Sequence, residues 1–175
     1  MAYAVTHVII AIVLIDLYRD YIARKKFSTW YVLIGGIAGL LPDIDFPVQI
    51  IVRAITGTDV IIHRTYTHSM IYVGIFLLFA LIFHLWKNKT FRLFKKKIST
   101  KDIALFFVIV AAGWFIHLAL DCTFSGEDSL TWIPGTPLGF CTNRFSEELT
   151  MGIDAIILVL WLFHEQWKHK IKDYI

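Results

Sequence analysis

Residues 69–86 read SMIYVGIFLLFALIFHLW, a run without a single Asp, Glu, Lys or Arg. At 1.5 Å per residue a helix over this run covers roughly 27 Å, close to the ~30 Å hydrocarbon core of a bilayer. Residues 103–120, IALFFVIVAAGWFIHLAL, have the same length and carry His117 as their one ionisable group. Both read as membrane spans. Three shorter apolar segments flank them. Ala4 to Tyr18 holds His7 and Asp16 near its ends; Thr29 to Leu41 is glycine-rich and closes with GGIAGLLP; Ile153 to Trp167 begins beside Asp154. Runs this short also form re-entrant helices, a reading that applies most to Thr29 to Leu41.

The expected fold is therefore all-α, a multi-pass transmembrane helical bundle of about five spans in one domain, residues 1–175. Composition agrees, since 57% of the chain is hydrophobic and only 18% is Asp, Glu, Lys or Arg, well away from the balance of a soluble domain. The first apolar segment lacks a basic leader and a small-residue cleavage site, so it reads as a retained helix.

Basic residues are sorted by side. Arg19, Arg24, Lys25 and Lys26 follow the first segment; Lys87, Lys89, Arg92, Lys95, Lys96, Lys97 and Lys101 lie between the two strong spans; Lys168, Lys170 and Lys172 follow the last segment. The alternate side receives Arg53, Arg64 and Arg144. This split of 14 against 3 predicts a cell-membrane protein with its N-terminus outside and its C-terminus in the cytoplasm. FRLFKKK, residues 91–97, then fits contact with anionic lipid better than nucleic-acid binding. Cys122 and Cys141 fall in one outer connection, where an oxidising exterior permits a disulfide.

Orientation follows from Lys and Arg alone, yet it brings His7, Asp43, Asp45, His63, His68, His117, Asp121 and Asp154 to one face. Ionisable groups at membrane depth are costly and point to function. Asp43 and Asp45 suit either metal ligation or helix capping. His117 and Asp121, four apart on a helix, share a face and can bind one cation, or the carboxylate can support a histidine's other nitrogen. His63 and His68 bracket RTYT, with Thr67 and Ser69 as candidate caps of the following helix. His84, His164 and His169 lie toward the opposite side and read as controls. Imidazole with carboxylate suits Zn, Mn or Fe better than Ca or Mg, and the donor set is large enough for one to three ions.

These motifs carry a family resemblance. Thr6-His7, LPDID at Leu41 to Asp45, HRTYTHS at His63 to Ser69 and HLALD at His117 to Asp121 resemble the inner-membrane-associated metal-dependent hydrolases sometimes described as LexA-binding. The resemblance covers nearly the whole chain and implies a multi-pass metal-dependent hydrolase. HLALD is also distantly similar to an element of the zinc-dependent phospholipase C enzymes, whose later His and Glu ligands have no clear counterpart here. The LexA-binding description implies a partner in the DNA-damage response, for which an outward site offers no physical reason.

The function expected from these readings is hydrolysis of a phosphoester in a membrane lipid at the outer interface, by a phospholipase C-like enzyme or a lipid phosphatase. The metal residues would be His7, Asp43, Asp45, His63, His68, His117 and Asp121. Asp45 and His68 would also serve catalysis, with Arg64 as the phosphate contact. Asp154 either joins the ligand shell or caps the last helix. The alternatives are a membrane amidase or peptidase, a metal-stabilised structural or regulatory protein, and a transporter. Transport is disfavoured because residues 69–83 and 103–116 carry no ionisable group at their centres.

Overall fold

The computed structural model describes residues 4–24, 26–59, 62, 66–86, 89–93, 96–124, 130–136, 139, 141 and 147–168. Six α-helices dominate: α1 (Ala4–Leu17), α2 (Trp30–Ala38), α3 (Asp45–Thr56), α4 (Met70–Leu85), α5 (Thr100–Phe124) and α6 (Glu147–Lys168). A π-helical turn, Tyr18–Ile22, extends α1, and a 3-10 turn, Leu41–Ile44, joins α2 to α3. All five apolar segments lie in helices. Among the described residues, however, only α5 is by itself long and apolar enough to cross a bilayer, and α4 is apolar but shorter. Helix α2 passes the same test only when joined to Leu41–Thr56, across a 49° bend. Five full spans are thus not established by helix length.

Two connections differ from the sequence reading. The stretch after Pro42, which lies outside the five apolar segments, forms α3. Pro47 sits in its first turn, where a missing N–H costs nothing, and Gly57 ends it in the left-handed conformation at φ 68°. The basic stretch between α4 and α5 contains an antiparallel hairpin, β1 (Thr90–Leu93) with β2 (Lys96–Ser99), in which Thr90 pairs with Ser99. Its only apolar signal is the isolated pair of short runs around FRLF and KKIS, too brief to separate from a charged loop.

Helix α5 is the central post. On one side Phe76, Phe79 and Phe83 of α4 stack against its Phe107, with ring centroids 6.5, 5.3 and 5.7 Å apart. On the other, α2 lies close because glycines meet there. A Cβ on Gly113 would strike the Gly35 carbonyl and come within 2.8 Å of Ala38 Cβ; one on Gly39 would lie 2.9 Å from Ala11 Cβ in α1. GGIAG thus thins α2 so that α1, α2 and α5 close on one another. Away from these contacts the surface is apolar: Leu77, Leu78, Leu81, Ile156, Val159, Leu160 and Phe163 are all exposed, more than water tolerates around a soluble monomer.

Helix direction alternates, so the start of α1, the end of α2, the start of α4, the end of α5 and the start of α6 meet at one end of the bundle. The basic residues Arg19, Lys101 and Lys168 stand at the other.

Candidate metal centre

Five of the residues expected to bind metal converge at the first end. His7, His68, His117 and Asp121 are buried, and the Asp43 side chain is 22% exposed. His117 Nε2 lies 3.1 Å from His68 Nε2. Asp43 Oδ1 is 3.5 Å from the His68 nitrogen and 3.6 Å from that of His117. Asp121 Oδ2 is 3.2 Å from His68 Nε2 and 3.7 Å from His117 Nε2, while its Oδ1 faces His7 Nε2 at 3.4 Å. Donor atoms of Asp43, His68 and His117 lie close enough together to share one ion, and so do those of His7, His117 and Asp121. The two groups share His117. Its ring stacks on that of His7 with centroids 3.8 Å apart.

Backbone and side-chain contacts aim these rings. His117 Nδ1 meets the Gly39 carbonyl at 2.7 Å. A carbonyl can only accept, so Nδ1 carries the proton and Nε2 presents its lone pair to the cluster, the arrangement of a histidine ligand. The Gly113 approach that brings α2 against α5 also brings this carbonyl within reach. His68 sits just before α4, whose N-cap is Ser69, accepting from the Ile71 amide. Its own carbonyl accepts from Thr131 N at 3.0 Å and Thr131 Oγ1 at 3.1 Å, and Met70 N donates to Thr131 O at 2.9 Å. A segment after α5 therefore fixes the histidine before α4.

Asp43 and Asp45 divide their work. The 3-10 turn at Leu41–Ile44 sends Asp43 toward the two Nε2 atoms, whereas Asp45 opens α3, is buried, and faces His68 Nδ1 at 3.7 Å. Thr67 Oγ1 donates to Asp45 Oδ2 and contacts His68 Nδ1 at 3.1 Å. Asp45 thus lies on the far side of the His68 ring from Asp43. Burial disfavours a charged His68, but its contacts with Asp121, Asp43 and Asp45 outweigh that and raise its pKa to about 10.

Asp154 is bound through α1: Thr6 Oγ1 donates to its Oδ2 at 2.6 Å, next to His7. His63 and Arg64 lie outside the described residues. Cys122 and Cys141 form a disulfide at this end, with Cα atoms 4.7 Å apart. Neither cysteine belongs to the His/Asp groups able to hold an ion. The roles of Gly39, Thr6 and Thr131 escaped the sequence reading. The first two stand beside named motif residues, but nothing local to WIPGT announces that Thr131 clasps His68.

The sequence model of one family, described as YdjM inner membrane protein, matches residues 1–172. The chain belongs to that family. Its description places the protein in the inner membrane, in keeping with the exposed apolar surface of the helices. No curated protein and no solved structure matches the chain.

Proposed function

We propose that this protein is a multi-pass membrane hydrolase that uses one or more divalent ions, with Zn first and Mn or Fe as alternatives, to cleave a phosphoester of a membrane lipid at the non-cytoplasmic interface. The observation that carries this reading is the meeting of His68 Nε2, His117 Nε2, Asp43 Oδ1 and Asp121 Oδ2 within 3.1–3.7 Å of one another across the pairs given above. Two imidazole nitrogens and two carboxylates form a donor set typical of Zn, Mn or Fe sites. The buried His7 Nδ1 has no hydrogen-bond partner, so the shell around the cluster retains unused donor capacity. When bound, the metal would supply an acidified water and stabilise developing negative charge.

The protein's own residues would hold and orient that chemistry. The Gly39 carbonyl sets the His117 tautomer. Asp45 and Thr67 hold the far nitrogen of His68. Asp43, the least buried member of the cluster, would mark the side from which substrate arrives. Arg64, placed by sequence beside His63, is assigned to the substrate phosphate.

A lipid substrate is supported by α3. It leaves the cluster directly after Asp43, buries Asp45 at its first position, and exposes Phe46, Val48, Ile50, Ile51 and Ile55. A helix so apolar and so little covered by the rest of the chain suits the bilayer interface. The site end is assigned to the outside by the 14 to 3 distribution of basic residues, and a disulfide there accords with an oxidising compartment. Burial of four of the five ligands also favours a second reading, a closed structural metal site without catalysis.

The test is metal analysis of detergent-purified protein, followed by a phospholipid hydrolysis screen. Bound Zn, Mn or Fe near stoichiometry should fall in Asp43→Ala, His68→Ala and His117→Ala and persist in His84→Ala, whose residue is exposed on α4. Folded parent protein that takes up no metal after supplementation would end this proposal. Metal without hydrolysis of any phospholipid would favour the structural reading.

A further inference from the structure

His164, which the sequence places among the controls, stands in a second cluster at the opposite end of the bundle. Its donor atoms and those of Asp16 and Glu165 all lie within 4.8 Å of one another. Asp16 and Glu165 are 1% and 2% exposed. The site comes from two helices, α1 and α6, and lies nine residues along α1 from His7, roughly 14 Å away at 1.5 Å per residue.

Beyond a contact between the Asp16 and Glu165 carboxyl groups and the Trp161 donor to Asp16, hydrogen bonding within the chain does not account for this burial. Asp16 Oδ1, His164 Nδ1 and both Glu165 carboxylate oxygens are buried without a hydrogen-bond partner. They make up four of the seven such atoms among the described residues, so the unmet polar demand is concentrated here. Buried carboxylates left in that state cost several kcal/mol each. The charges on hand fall short. Arg19 is the cation beside Asp16, at 3.6 Å from Oδ1, but it also pairs with Asp20 at 3.1 Å and donates from Nε to the Phe27 carbonyl. Lys168 lies over the Tyr21 ring, 4.7 Å from its centroid. Glu165 meets His164 Nδ1 at 3.4 Å.

We propose that Asp16, His164 and Glu165 form a second divalent-cation site, separate from the first and independent of it. The outer contacts suit ligation. Tyr21 Oη lies 3.3 Å from His164 Nε2, where the phenol can accept from that nitrogen; with the proton there, Nδ1 would turn its lone pair toward the two carboxylates, as a supported histidine ligand does. Trp161 Nε1 donates to Asp16 Oδ2 at 3.4 Å, leaving Oδ1 for the ion. One imidazole and two carboxylates match Zn, Mn, Fe or Co and supply three ligands, with further positions for water. A cleft of about 370 Å³, lined by Asp16, Trp161, Thr29, Trp30 and Leu33, borders the cluster at Asp16. The bound ion would tie the end of α6 to α1.

The probe is Co²⁺, whose visible absorption reports nitrogen and oxygen coordination. It is added to full-length protein in detergent carrying His68→Ala and His117→Ala, so the first site is disabled. About one equivalent of absorbing Co²⁺ is expected, lost when Glu165→Gln or His164→Gln is added. Glu165→Gln removes a buried charge and should leave the ion-free protein folded by circular dichroism and gel filtration. If the double variant fails to fold, equilibrium dialysis of Zn²⁺ against the parent and Glu165→Gln replaces it, with one equivalent fewer expected in the variant. Absence of Co²⁺ absorption in folded double variant, or equal Zn²⁺ stoichiometry in parent and Glu165→Gln, overturns the second site. Neither result bears on the first site, which is read from its own variants.

Discussion

His68 and His117 face each other through their Nε2 atoms at 3.1 Å, with Asp43 and Asp121 beside both. Two imidazoles so placed share either a proton or a metal ion. Without metal the proton belongs to His68, whose pKa is raised to about 10, because His117 Nε2 is an acceptor once Nδ1 donates to Gly39.

This fixes a pH dependence. In the metal-free protein the raised His68 pKa contributes stability that is fully present below about pH 6.5, the ordinary histidine value, and lost as pH rises through about 10. Metal must expel that proton, so affinity should climb with pH by up to about tenfold per unit within this window. Competition with a chelator of known affinity between pH 6.5 and 9 measures the slope. A flat response would mean that metal does not take His68.

Gly113→Ala should act on the centre from a distance. The added methyl meets the Gly35 carbonyl and Ala38, forcing α2 away and carrying the Gly39 carbonyl from His117 Nδ1. Overpacking of this kind costs about 1–3 kcal/mol. The expected outcome is a lower Tm together with weaker metal binding, whereas Gly74→Ala, where a Cβ meets open space, should leave both near the parent values.

Thr6→Val removes the donor to Asp154 and leaves a half-buried carboxylate without it beside His7. A loss of about 1–3 kcal/mol is expected, measurable as a fall in thermal midpoint. Thr6→Ser should restore most of it, since the hydroxyl is retained.

Phe46→Ser with Ile50→Ser tests the interfacial role of α3. Both side chains are exposed on α3. Hydrolysis of phospholipid in vesicles should fall several-fold while that of a short-chain soluble phosphoester stays near parent level. Equal loss on both substrates would show that α3 shapes the site instead of reaching lipid.

Cys122→Ser opens a bridge between residues 19 apart in sequence, and by loop entropy should cost about 3 kcal/mol. Denaturant midpoints with and without reductant give the same comparison in the parent, and the reductant effect should vanish in the variant.

What the sequence made legible was governed by long runs and by residue types that are rare in apolar surroundings. The runs at 69–86 and 103–120 became α4 and α5, and sorting Lys and Arg by side gathered His7, Asp43, His68, His117 and Asp121 on one face, as the bundle brings them to one end. Five spans were too many to take from apolarity alone, because α1, α2 and α4 are short of the bilayer width as helices. Helix α3 was hidden by Pro42 and Pro47, which read as loop residues although both occupy helix starts. Asp45 looked equivalent to Asp43, and only the turn between them shows that they approach His68 from opposite sides. The second cluster was missed for a similar reason. Asp16 is far in the chain from the neighbours His164 and Glu165, each has an ordinary explanation alone, and it is the pairing of α1 with α6 that unites them.

The clasp between Thr131 and the residues around His68 also orders events in the life of the chain. The carbonyl of a histidine early in the sequence is held by a segment that follows α5, and the ligands themselves run from His7 to Asp121. A ribosome that has released only the first four helices has therefore made neither His117 nor Asp121, merely scattered donors. The arrangement is complete only once the polypeptide beyond α5 has returned to the start of α4, so capture of the proposed ion would follow synthesis of that segment and be withheld from chains that stop before it.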